Sequence, residues 1–191
     1  MRDASKKVGS DLGPLLLALA RRAVEERVRT GESPPVPENS EDPRLAQPGA
    51  TFVTLLAEGK LRGCLGTLEA RRPLIEDLWA NAIAAATRDP RFPPLTIEEL
   101  PRLAIEISVL GPSRPTAFRS RPEAEAGLRP GIDGVTLRWR RHRATFLPQV
   151  WQQLPDPGAF LDQLLKKAEL AADFWAEDLE IETYRVDKYM E

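Results

Sequence analysis

Apolar positions recur along this chain with two different periods. From Ser10 to Arg29 they fall three and four apart, and Leu16, Leu19, Ala20, Ala23 and Val24 form one stripe of a helix. Ser10 or Asp11 is suited to cap it, Pro14 to its first turn and Gly31 to its end. Glu32 to Gly49 is rich in Pro, Ser and acidic residues, which predicts an extended strap pinned by Val36 and Leu45. Thr51–Leu56 and Leu61–Leu68 are short apolar runs about Glu58-Gly59, the pattern of a β-hairpin. Pro73 to Thr87 returns to helical spacing. Leu74, Leu78, Ala82 and Ala85 line one side and Ile75, Trp79 and Ile83 widen it, so this helix should lie on a sheet.

Asp89-Pro90-Arg91-Phe92-Pro93-Pro94 excludes both helix and central strand, because three prolines fix φ and remove donors. Thr96 and Glu99 have the spacing of a capping box. Leu103 to Leu110 alternates: Leu103, Ile105, Ile107 and Val109 point inward, while Glu106 and Ser108 fit a solvated sheet face better than a polar cleft. Gly111 to Pro130 is polar and broken by prolines, with a short helix near Glu123–Ala126. It is expected to be the loosest interior stretch and the passage into a second lobe. Val135–Trp139 and Arg143–Leu147 read as a second hairpin about Arg140-Arg141-His142, with His142 on an exposed turn. A helical turn from Pro148, a helix from Ala159 to Leu170 and a long strand from Leu179 to Tyr189 complete the chain. The fold class is α+β: a larger lobe with a mainly antiparallel sheet covered by helices, and a smaller α+β lobe. The expected division is 1–112 with 173–191 against 113–172, within a single unit of about 12–190.

Composition narrows the classes. The chain has 191 residues and a net charge of −2, so nothing draws it as a whole to nucleic acid or anionic membrane. One cysteine excludes an internal disulfide and suits a reducing, cytoplasmic setting. One Cys and one His do not make a structural zinc site; a carboxylate metal site stays open but has no spacing to support it, and no metal ligand is named. The run Leu15–Ala20 is too short to cross a bilayer, and Arg21-Arg22 follows it without a cleavage pattern.

The candidate chemistry centres on Leu61–Thr67. Strand alternation puts Arg62, Cys64 and Gly66 on one face, and the hairpin pairing puts Val53 and Leu55 on that face too. A cation near a thiol favours the thiolate, so Cys64 is the candidate nucleophile, with a depressed pKa expected; the alternative is a small buried hydrophobe in a tight sheet. Gly63 and Gly66 allow close approach of a ligand or of another backbone. Arg62, Thr67, Asp89 and Arg91 complete a candidate ligand site, against a plain Asp–Arg ion pair locking the loop. Gly63-Cys64-Leu65-Gly66 lacks the spacing and the Lys-Ser/Thr end of a phosphate loop, and the sequence names no cofactor.

Six segments in order resemble the AMMECR family: Phe52–Leu55, Leu61–Thr67, Asp89–Pro94, Ile105–Leu110, Gly131–Gly134 and Phe146–Val150. The resemblance spans Ala20 to Tyr189 and implies a two-lobed α+β fold. It also implies association with Memo-like and radical-SAM proteins, as the A component of the AmmeMemoRadiSam set, but brings no reaction. Two positions depart from the family pattern: Leu65 replaces the usual Ile, and Glu169 stands where Gly is usual, so the helix end there is in question. The sequence thus favours a small or anionic ligand bound in an interlobe cleft around Leu61–Thr67, and leaves catalysis open. A non-catalytic partner module is the first alternative. Nucleic-acid contact through the Arg-rich stretch 114–143 is the second, and the net negative charge argues against it.

Overall fold

The computed structural model describes residues 12–37 and 42–191. The capping role given to Ser10 or Asp11 lies outside them. Two compact units result, one running to Val109 and taking back Asp187–Glu191, the other Leu110–Val186.

The first unit has a five-stranded sheet. Its main order is β2 (Lys60–Gly66), β1 (Pro48–Ala57), β4 (Leu103–Leu110) and β9 (Val186–Met190); the short β3 (Arg72–Pro73) pairs with the start of β1. Ala57 pairs with Lys60 across Glu58 and Gly59, which have φ of 52° and 76°, so both central residues of the turn are left-handed as a type I′ hairpin requires. Helix α1 (Leu12–Thr30) ends at Gly31, with φ of 74°. Helix α2 (Leu74–Thr87) packs on β1 and β2 and also against α1, which explains why its buried residues extend beyond one stripe. The core joins Leu16, Ala20, Val24, Val53, Leu55, Leu78, Trp79, Ile105 and Ile107. Leu45, 1% exposed, pins the strap through a 3-10 turn at Pro43–Ala46, and the Trp79 indole donates to Pro34 O at 2.9 Å.

The second unit has its own sheet, in the order β5 (Arg114–Pro115), β8 (Glu180–Tyr184), β6 (Gly134–Trp139) and β7 (His142–Phe146). Helices α3 (Arg121–Gly127) and α4 (Pro157–Lys167) complete it. Asp156 caps α4 by accepting from Ala159 N at 2.8 Å. Its core includes Leu137, Phe160, Leu161, Leu164 and Leu165, with Trp151 stacked on Phe160 at 3.7 Å between ring centroids.

Four readings of the pattern need correction. The long last strand is two strands: β8 belongs to the second sheet and β9 to the first, with the break at Arg185. Residues 173–186, assigned by pattern to the larger lobe, therefore fall in the second unit. Ser108 is buried, while Glu106 is partly exposed and pairs with Lys188 of β9 at 2.8 Å, so their face of β4 is solvated only in part. His142 begins β7 opposite Trp139 instead of sitting in the turn. The polar stretch 111–130 is also more built than its composition suggests, since Ala124 and Leu128 join the second core. Among the described residues no helix is long and apolar enough to cross a membrane.

Candidate functional site

The hairpin register decides what accompanies Cys64. Leu56 faces Leu61, but Leu55 faces Gly63, so Arg62 is passed over in a β-bulge. Beyond a bulge every side chain changes face relative to the regular pairing. Cys64 therefore lies opposite Thr54 instead of sharing a face with Val53 and Leu55, which are fully buried in the core. The Thr54 hydroxyl donates to Cys64 Sγ at 3.3 Å, and the thiol is half-buried. Both motif glycines are explained by packing. A Cβ on Gly63 would run into the Ala85 carbonyl of α2, and one on Gly66 into the Phe52 ring and the Thr51 carbonyl.

β2 is a sheet edge, and the loop Asp89–Pro94 covers it. Asp89, with a side chain only 2% exposed, accepts from Cys64 N at 2.8 Å through Oδ2. Its Oδ1 accepts from Arg91 N at 3.1 Å and Arg91 Nε at 2.9 Å, and Oδ2 also accepts from the Arg91 guanidinium at 2.6 Å. That guanidinium also donates to Cys64 O at 3.5 Å. The side-chain pair thus acts as a substitute strand for one residue of β2. Arg91's hydrogen bonds hold the Asp89 carboxyl well below the usual range despite its burial, helped by the backbone N–H groups of Cys64 and Arg91.

Arg62 uses its position in the bulge to reach the same loop. Nε donates to Glu99 Oε1 at 2.6 Å, one terminal nitrogen to Glu99 Oε2 at 3.0 Å, and the other to Pro93 O at 3.0 Å. Arg62's hydrogen bonds lower the Glu99 carboxyl, against the opposing effect of burial. Glu99 Oε2 also accepts from Thr96 N at 2.9 Å, so the capping residue anchors the arginine as well. Phe92 has Arg62 at 5.9 Å and Arg91 at 5.6 Å from its ring centroid.

A polar cluster that the motif search missed lies at the far end of the hairpin. Asp77 of α2 is 1% exposed and accepts from Thr51 N and Thr51 Oγ1 at 2.8 Å, Asn81 Nδ2 at 2.9 Å, Thr67 Oγ1 at 2.6 Å and Arg72 Nε at 3.0 Å. Thr67 is thus bound to a fold-internal carboxylate. The available signal was Asp77 and Asn81, four residues apart in a mostly apolar helix.

All seven predicted site residues fall within the first unit. Arg62, Cys64, Asp89 and Arg91 are linked through the loop, and Thr67 belongs to the Asp77 cluster. The single histidine, His142, is in the second unit, where Nδ1 is 2.9 Å from Ala168 O. In the Arg-rich stretch carboxylates interleave the arginines: Arg121 pairs with Asp162 and Glu125, Arg129 with Asp133, and Arg138 with Glu182. Among the described residues no group of three or more His, Cys, Asp or Glu is placed to hold a metal ion.

Comparison with known proteins agrees with this architecture. A Methanothermobacter thermautotrophicus protein is 39% identical over 176 residues, covering 92% of this chain and 91% of that protein. Pyrococcus horikoshii protein PH0010 is 35% identical over 181 residues, covering 90% and 85%. The crystal structure of PH0010 superposes with a TM-score of 0.81 at 33% identity, over 94% of this chain and 91% of that one. The AMMECR1 family profile matches residues 17–189, and the chain belongs to the AMMECR1 family.

Proposed function

We propose that this protein binds a small polar or anionic ligand on the outward side of the β1–β2 hairpin, with Cys64, Thr54 and Arg91 as its contacts. One observation carries the reading: the buried Asp89 fixes both the backbone of Cys64 and an arginine side chain that remains 54% exposed. A cation oriented from behind and left open in front is a preorganised anion contact. The geometry favours binding over catalysis. Asp89, held well below the usual carboxylate range, is a poor general base for the thiol.

The test uses the single thiol. Native protein is alkylated with iodoacetamide in the presence of fractionated metabolite extract, and melting is followed in parallel. A fraction holding the ligand at 100 times Kd slows alkylation and adds about 2.7 kcal/mol of stability, and Arg91→Gln abolishes both effects. The reading fails if no fraction protects Cys64.

A second reading, a partner module for Memo-like and radical-SAM proteins, draws support from exposed aliphatic side chains in the first unit. Leu61 is 42% exposed, Leu68 44% and Ile97 51%. Protection of Cys64 by a purified Memo-like protein, with none by metabolites, would favour it.

A further inference from the structure

β2 forms one edge of the first sheet, and the outward backbone groups of that edge are only partly used. We propose that the open part, at Gly66, receives the C-terminal end of an extended peptide, which adds to β2 as an antiparallel strand and sets its carboxylate against Arg91. This ligand class rests on Arg91 being the open anion contact described above.

Strand alternation fixes which groups face outward. Thr67 N donates to Thr51 O at 2.9 Å, so Leu65 and Gly63 also bond across the hairpin to β1, while Cys64 and Gly66 turn their N–H and C=O to the edge. The bond from Cys64 N to Asp89 has the same phase. Four groups therefore follow one another along the edge: Cys64 N–H, Cys64 C=O, Gly66 N–H and Gly66 C=O. Asp89 accepts from the first at 2.8 Å, and Arg91 donates to the second at 3.5 Å. Among the described residues no strand and no side chain takes the last two. Gly66 is half-buried and has no side chain to screen them.

The order of these groups decides the direction of what binds. The open N–H of Gly66 is the nearer to Arg91, and the open carbonyl lies further along the strand. An antiparallel residue opposite Gly66 accepts from Gly66 N through its own C=O and donates its N–H to Gly66 O. Its C=O thus lies on the side of Arg91. Beyond that point the edge is blocked, since Asp89 already occupies the N–H of Cys64. A strand entering from the side of Thr67 must end there, and a carboxylate suits that end. One oxygen accepts from Gly66 N, and the other faces a guanidinium whose side chain is 54% exposed. An N-terminal ammonium in that place would meet a like charge, and the buried Asp89, already accepting from Arg91, does not offset it.

Phe52 sets the preference for the last side chain. It stands directly opposite Gly66, and a Cβ on Gly66 would run into its ring, so the ring covers the glycine on that face. Residues opposite each other in an antiparallel pair project to the same side. The side chain of the terminal residue therefore emerges beside the half-buried Phe52 ring, which favours an aliphatic residue over a charged one.

The probe is acetyl-Ala-Ala-Val with a free carboxylate, titrated into the full chain at constant ionic strength while the Gly66 amide resonance is followed by NMR. A saturable shift at Gly66 is expected. Converting the carboxylate to an amide removes the charge that faces Arg91, and methylating the valine nitrogen removes the donor to Gly66 O. Each weakens binding by about tenfold or more, and neither touches the fold of the protein. Arg91→Gln weakens it likewise, and Arg29→Gln, on an exposed face of α1, leaves it unchanged. The proposal is overturned if either altered peptide binds as well as the parent, if acetate binds as tightly as the peptide, or if Arg91→Gln keeps wild-type affinity. Failure of the peptide to bind, while a metabolite fraction still protects Cys64, overturns the peptide alone and leaves Arg91 as an anion contact; failure of both removes both. A dimer formed through this edge that the peptide does not dissociate overturns the proposal in favour of a second copy of the chain.

Discussion

Asp89 stands in for a neighbouring strand. Its carboxylate accepts the outward N–H of Cys64, and the arginine it holds reaches the carbonyl of the same residue. Asp89→Asn removes the charge that orients Arg91 and is expected to cost about 1.5–3 kcal/mol in urea denaturation at pH 7, the range for hydrogen bonds to charged groups. The pH dependence follows from the direction of the shift. A carboxyl held below its ordinary 3.8 contributes full stability above that value and loses it as pH falls towards the folded-state value. The gap between wild type and Asp89→Asn should therefore be constant near neutrality and shrink below about pH 4. A gap unchanged down to pH 2 would show that the charge is not the cause. The candidates Arg62, Cys64, Asp89 and Arg91 were legible because charged and sulfur-bearing side chains stand out in an apolar hairpin and a proline-rich loop. The Asp89–Arg91 pair was one of the alternatives the sequence offered, but the partner of Arg62 was not legible, since Arg62 meets Glu99 only after the chain has run through β3, α2 and the loop.

At the scale of elements, local periodicity was a good guide and register was a poor one. The two hairpins, α2, β4 and the Thr96–Glu99 box all depend on residues a few positions apart, and each formed near its expected place. The bulge at Arg62 has no such local signature, and it alone changes the company of Cys64. The end of α4 is a second instance. Leu170 N donates to Leu165 O and Glu169 N to Lys166 O, each at 3.0 Å, the bonds of a Schellman cap with the left-handed residue at Glu169, φ 61°. The position where the resemblance expects glycine thus has positive φ, and in this chain a glutamate adopts it. Glu169→Gly should raise stability by about 0.5–1 kcal/mol in urea denaturation by relieving that strain. No gain would mean that the glutamate side chain offsets its own backbone cost. Asp77 ties α2 to Thr51 and Thr67 through three of its five donors, and Asp77→Ala leaves Thr51 N and Oγ1 buried without that acceptor. A loss of about 3–5 kcal/mol is expected, and a loss below 1 would mean that water or rearrangement satisfies them.

At the scale of the whole molecule, the fold class followed from the mixture of periods, but the allocation of the last strand did not. Leu179 to Tyr189 carries one continuous strand-like pattern, and nothing within it marks Arg185 as the change from one sheet to the other. Pairing with β6 and β5 draws Glu180–Tyr184 into the second unit, where Gly134 faces Tyr184 and Leu137 faces Ile181. That allocation gives the second unit an unbroken stretch of chain, Leu110–Val186, with a complete four-stranded sheet. It also has its own core and internal ion pairs, Arg121 with Asp162 and Arg129 with Asp133. The first unit is interrupted in sequence and needs Asp187–Glu191 to return: Ile105 N donates to the Glu191 carboxylate at 3.0 Å, and Arg21 pairs with the same group. A fragment of residues 110–186 is therefore expected to fold alone. Its size sets the margin, since a single core in a chain of this length supplies only about 3–5 kcal/mol. Trp139, Trp151 and Trp175 lie in the fragment, so near-ultraviolet circular dichroism reports its packing directly. The expected result is a native-like aromatic signal that disappears in one cooperative urea transition. Leu164→Ala, at a side chain with no exposed surface, should abolish that transition, because a core truncation costs about 2–5 kcal/mol, as much as the fragment has. A wild-type fragment without an aromatic signal would mean that the second unit depends on the first for its fold.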